Sequence, residues 1–246
     1  AGSVAIHLNI EPTHRRRSID EVAEEFGLPD LRGALADYVS RQGQPRQRTF
    51  HTFSGPRRSG PNAVLPFTEL QVWHKVRLQQ KSYHHANKLG PTFTINAHPP
   101  NRTWKHGRYD AAILQVDQAH QWPLSGLTGH SVVLVRLIMC PASPKRHHSH
   151  WTSRALVYAQ RLDVVPQRHG QTESTTGLHV LRRVTRSSGE GLGEVFPLDQ
   201  LKSYAHIVPR FGRVADNRLT YSNSVHGSQS FFLNKYFDKD FFYAIS

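Results

Sequence analysis

Two sets of side chains in this 246-residue sequence have the types and spacing to do chemistry. The first is cationic and aromatic. Arg46, Arg48, Arg57 and Arg58 crowd a stretch rich in Gly, Pro and Gln, and Trp73, Lys75, Arg77, Lys81 and Tyr83 follow on an alternating run. Lys and Arg neutralise phosphates and release condensed counterions, while Trp73 and Tyr83 are suited to stack on exposed bases. The pattern points to nucleic acid and is silent on sequence preference. The second set is acidic. Asp110, Asp163 and Glu194 flank or begin strand candidates, and carboxylates projecting from a sheet serve two-metal nucleases. No helical pattern covers the sheet as a ribonuclease-H-like core requires. A metal-dependent nuclease is therefore one alternative and a pure protein-interaction domain the other, with a non-catalytic binding module as the main expectation.

Other constellations predict no metal and no cofactor. His147, His148 and His150 fall in a Pro/Ser/Arg loop with no His-Glu-x-x-His, which reads as a solvated loop. A single cysteine, Cys140, excludes a disulfide framework and any zinc site built on two thiolates. Before Pro141 and at the end of an apolar run, it reads as a small buried hydrophobe. The Gly189–Gly193 loop has strand-like residues on both sides and no following Lys-Ser/Thr, so it reads as a hairpin loop rather than a phosphate cradle.

Charge location sharpens the first reading. The net charge is +13, of which residues 41–108 carry +11 while residues 1–40 carry −3. Arginine outnumbers lysine 23 to 8, which favours bidentate phosphate or base-edge contacts. The bland counterpart is a solvated Arg-rich linker that binds nothing.

The elements that must position these groups come in three parts. Residues 1–40 read as a helical hairpin: Ser18 and Glu21 form a capping box, Ile19, Val22, Ala23 and Phe26 recur at helical spacing, and Gly27 suits a left-handed cap. Asp30 is placed to cap a second helix with Leu31, Ala34, Leu35 and Tyr38 on its apolar stripe. Four acids on the first helix oppose a DNA-reading helix-turn-helix. Residues 41–63 read as a mobile basic linker. Residues 64–246 read as a mainly antiparallel β domain, a barrel or sandwich, with strands around 70–79, 109–116, 131–139, 155–165, 178–184, 194–198 and 205–208. In the first of these, Leu70, Val72, Val76 and Leu78 make the dry face and Trp73, Lys75 and Arg77 the wet one. The last sixteen residues hold seven of the 24 aromatics, which demands cover, either by docking back on the domain or by a partner. The fold class is thus α+β, mainly β. No run approaches the ~18 apolar residues of a membrane helix, so no membrane is expected. The chain starts at Ala1 without a secretory leader, and the missing initiator Met suggests a piece of something longer.

Several stretches resemble the C-terminal portion of proteins encoded by fungal Plavaka-type DNA transposons, relatives of the CACTA-like group. They include His7-Leu8-Asn9, the 18–23 and 28–31 segments, Val72–Arg77, Gly107–Asp110, Gly126–His130, Val133–Met139, Tyr158–Asp163 and Pro197–Leu201. The most specific is Leu233-Asn234-Lys235-Tyr236-Phe237-Asp238-Lys239-Asp240-Phe241-Phe242-Tyr243-Ala244. The resemblance spans most of the chain outside 41–63 and implies a domain of unknown function behind a transposase core, so no catalytic residue carries over. It implies a nuclear, DNA-associated setting linked to transposition; for the aromatic segment Phe231–Tyr243, contact with a transposase subunit or self-association is the expectation if it does not dock back on the domain.

Overall fold

Ser18 accepts from the backbone N–H of Glu21, and the Glu21 carboxylate accepts from the Ser18 backbone N–H, closing the capping box at the start of α1 (Ile19–Phe26). Gly27 ends the helix at φ 61°, a left-handed position that suits glycine. After the Leu28–Asp30 turn, α2 (Leu31–Gln42) buries Leu31, Ala34, Leu35 and Tyr38. In this computed structural model the described residues are 4–42, 59–85, 87–142, 154–168, 170–187, 189–212, 214 and 216–246.

The rest is two open antiparallel sheets. The smaller has strand order β1 (Val4–His7), β4 (Lys75–Lys81), β5 (Leu89–His98) and β6 (Arg108–Tyr109). The larger is built on the long pair β8 (His130–Pro141) and β9 (Leu156–Val164). The outer edge of β8 is shared by β7 (Ala111–Gln115) and β3 (Glu69–Trp73), and β2 (His14–Ser18) pairs with β3. The outer edge of β9 is shared by β10 (His179–Arg183) and β11 (Gly193–Pro197). β12 (Leu201–Ala205) pairs with β7, while β13 (Ile207–Pro209) and β10 flank β14 (Ser230–Leu233), which follows the single turn α3 (Ser224–Gly227).

The layers follow from which side chains face which way. On one face of the larger sheet Val133, Val135, Ile138, Val157 and Ala159 bury against Val76, Leu78, Ile95 and Ala97 of the smaller sheet. The two sheets thus stack face to face as a sandwich rather than closing into a barrel. The other face carries two separate covers. At one end Leu137, Met139, Leu156 and Tyr158 pack under α1 and α2. At the other, Val132, Leu134, Leu162 and Leu181 pack under Trp122 and α4 (Lys239–Ile245).

Four expectations need correction. The first forty residues are not only a helical hairpin: residues 4–7 and 14–18 pair as strands, and the helices share their core with the larger sheet. The second helix runs on to Gln42, so Arg41 belongs to it and not to the linker. The ten-residue strand β5 has no counterpart among the expected strands, because Gly90, Pro91 and alternating Thr residues resemble a loop. Trp73 is not on a wet face. It is buried and its indole N–H donates to the Asn9 carbonyl at 2.9 Å. The reason is a change of sheet at His74: β3 pairs with β8 while β4 pairs with β1 and β5, so one alternation cannot be counted across it.

Candidate functional site

Among the predicted cationic residues the fold brings Lys75 and Arg77 together and separates the rest. Both are exposed on β4, beside Asn96 and Thr94 of β5. Since His98 of β5 pairs with Arg108 of β6, the Arg108 side chain stands on that same outer face. Lys75, Arg77 and Arg108 line one recess of about 440 Å³ with His7 and Asn9, within the range of small-molecule sites. Among the described residues none of the three has a carboxylate partner. Lys81 and Tyr83 lie toward the other end of β4, where Tyr83 stacks on Tyr243 with centroids 6.1 Å apart. Arg46, Arg48, Arg57 and Arg58 lie outside the described residues, as do His147, His148 and His150.

Arg108 also borders a second cleft, which sequence reasoning missed. Its floor is the uncovered strip of the larger sheet between the helical cover and the α4 cover. A β-bulge creates it: Val135 and Leu137 of β8 oppose the adjacent residues Ala159 and Tyr158 of β9, leaving Arg136 as the extra residue. The insertion reverses the in–out parity of β8 and leaves Arg136 between Leu134, under one cover, and Leu137, under the other. Gln160 of β9 and Arg183 of β10 continue the floor. The cleft measures about 450 Å³, the size of a small-molecule pocket.

Its two central arginines are held by neutral groups. Arg136 donates to the Gln160 side-chain carbonyl at 2.8 Å and the Phe26 backbone carbonyl at 2.9 Å, with its guanidinium 4.2 Å over the Tyr109 ring. Arg183 donates to the backbone carbonyls of Ser228 and Val225. Among the described residues no carboxylate pairs with either. Burial first, and the nearby charge of Arg136 second, bring the Arg183 pKa down to about 10, so it stays charged at neutral pH. His226 is held below the usual histidine range by burial, then by His106, Arg183 and Arg136. The Arg136 Nε and the Tyr109 hydroxyl are buried without a hydrogen-bond partner. Of the acids on the wall, Asp30 accepts from the Tyr158 hydroxyl at 2.6 Å and Asp110 from the backbone and side chain of Asn96, while Glu190 lies on the glycine loop. Trp104, Tyr221 and the stacked His106–His226 pair line it as aromatic surfaces, Tyr221 being 90% exposed.

The carboxylates proposed for a nuclease do not converge. Asp110 lines this cleft, Asp163 pairs with Arg161 and faces a different recess, and Glu194 is buried between Arg186 and Arg41. Among the described residues no group of three His, Cys, Asp or Glu side chains is arranged to hold a metal ion. The glycine loop closes as a hairpin, Leu192 donating to the Val184 carbonyl. Gly193 in it serves packing, because a Cβ there would lie 2.4 Å from the Tyr158 ring. Cys140 is buried, which pushes its thiol up to about 11.

Residues 1–181 match the family model described as a domain of unknown function, DUF6830. The chain belongs to that family. The match covers α1 and α2, the smaller sheet and the β8–β9 pair with its bulge, and ends within β10 two residues before Arg183, leaving β11–β14 and α4 outside it. No curated protein and no solved structure matches. No described helix is long and apolar enough to cross a membrane.

The sequence carried one signal for this cleft. Arg136 is the sole charge inside the apolar run Val132–Met139, and a charge at such a position needs a reason.

Proposed function

We propose that this chain is a non-catalytic module that grips the phosphate backbone of nucleic acid. The observation that carries it is the outer face of the smaller sheet. Lys75, Arg77 and Arg108 stand side by side there with no acid paired to them among the described residues, and Arg108 leads into the arginine cleft. Surface cations are ordinarily interspersed with acids; a row left unneutralised favours a polyanion. The +11 carried by residues 41–108 lies in the same quarter of the chain. The resemblance to Plavaka-type transposon proteins supports transposon or target DNA as the ligand, the nucleus as the setting, and a transposase subunit as the body the module serves.

The test is affinity for duplex and single-stranded DNA measured against salt. Each phosphate contact contributes a slope of about −0.9 in log K against log salt for duplex. The Lys75→Glu/Arg77→Glu double variant is expected to lower affinity and reduce that slope by about two contacts. Binding that is flat in salt, or equal in the variant, sinks the proposal.

A further inference from the structure

We propose that the arginine cleft is a pocket for one phosphorylated nucleotide unit, either the end of a strand or a free mononucleotide, the phosphate resting on Arg136 and Arg183. The ligand class rests on the nucleic-acid reading above; the site itself does not. The two guanidiniums line one cleft and are held by neutral acceptors, so among the described residues neither has a carboxylate bonded to it. Two half-buried cations on one open cleft attract an anion, and a dianionic phosphate supplies both the charge and acceptors for a guanidinium fork. Donors remain for it. An arginine has five N–H groups, and Arg136 and Arg183 each spend two in hydrogen bonds to the protein.

The remaining wall suits the rest of a nucleotide. Trp104, Tyr221 and the His106–His226 stack offer π-faces, which hold any base with little sequence preference. Tyr221 is 90% exposed and makes no hydrogen bond to the protein through its side chain among the described residues, so its ring is available to a ligand. Arg108 lines both this cleft and the recess that holds Lys75 and Arg77, so one side chain is common to the two sites.

The experiment compares one short single strand bearing a 5′-phosphate, a 3′-phosphate or hydroxyls only, together with a free deoxynucleoside monophosphate as competitor, on the whole chain. A phosphorylated end is expected to bind about tenfold tighter than the hydroxyl strand. Arg183→Gln should erase that preference and keep the salt-dependent duplex binding. Tyr221→Ala, which leaves the core untouched, should weaken the phosphorylated strand while thermal unfolding stays unchanged. Displacement by the monophosphate identifies a free nucleotide as a ligand; a phosphate preference without displacement identifies the strand end. Equal binding of all three strands with no displacement overturns the pocket, even if duplex binding persists. Loss of duplex binding with the monophosphate still held would instead overturn only the backbone-gripping reading.

Discussion

The guanidinium of Arg136 lies 4.2 Å over the ring of Tyr109, tying the bulge of β8 to the two-residue strand β6. Each makes the other tolerable: the ring covers a charge with no acid partner, and the cation offsets part of the burial that raises the Tyr109 hydroxyl. Arg136 further reaches the last carbonyl of α1, at Phe26, so one side chain joins helix, bulge and small sheet.

Replacing it tests that coupling. Arg136→Met keeps the stem and removes two hydrogen bonds and the cation–π contact, a loss of about 2–4 kcal/mol. Urea unfolding should show a lower midpoint with unchanged slope. An unchanged midpoint means the charge is carried at no structural cost and the coupling argument fails.

Glu194 should behave as a structural residue. Its side chain is 7% exposed and bridges Arg186 at 2.9 Å and Arg41 at 3.4 Å. Glu194→Ala removes the nearer of two carboxylates from Arg186, Asp30 lying at 3.9 Å, and is expected to cost about 3 kcal/mol. Asp163→Asn breaks only a half-exposed pair with Arg161 and should cost under about 1 kcal/mol. Plasmid incubated with magnesium or manganese checks the catalytic alternative. Cleavage by the unaltered chain that Asp163→Asn abolishes would revive it.

Stability should fall on acidification below neutral. The His74 ring lies between His14, at 5.3 Å, and His98, at 4.9 Å. Burial first, then the charges of His98 and His14, lower its pKa from 6.5 to about 4. The folded state then binds fewer protons than the unfolded chain between those values. Stability is full above pH 6.5 and is lost as pH falls toward 4, on the order of 1–2 kcal/mol after solvent screening of a half-buried ring. His74→Gln should flatten that part of a pH–stability curve. An equally steep curve would assign the loss to His98, His130 and His179, whose pKa values are also lowered by burial.

The aromatic C-terminus should act as core. Phe231 and Leu233 are fully buried, and β14 pairs with strands on both sides. Phe231→Ala is expected to cost about 3–5 kcal/mol, and deleting 231–246 to unfold the chain. A deletion that stays folded and only loses an assembly partner would show instead that the segment is an interaction arm. Tyr236 and Tyr243 are its exposed rings, at 60% and 46%.

Local signals were enough to set much of this protein. Ser18, Glu21 and Gly27 act on amides within a turn of themselves, so the first helix and its cap are legible residue by residue. The run Val132–Met139, apolar but for Arg136, and the alternating 155–165 stretch announce strands, and the concentration of charge between 41 and 108 is a matter of counting. What lay beyond the sequence was decided by pairings distant in the chain. Trp73 turned inward because the chain changes sheets at His74, which depends on where β8, β1 and β5 lie. The arginine cleft arose because one inserted residue shifted the parity of β8, and two covers left a strip of sheet bare. Arg136, Gln160 and Arg183 are neighbours only through that registration of three strands. No periodicity within any one of them records it, because cross-strand register is set by packing and turns across the whole sheet rather than by the residues beside each position.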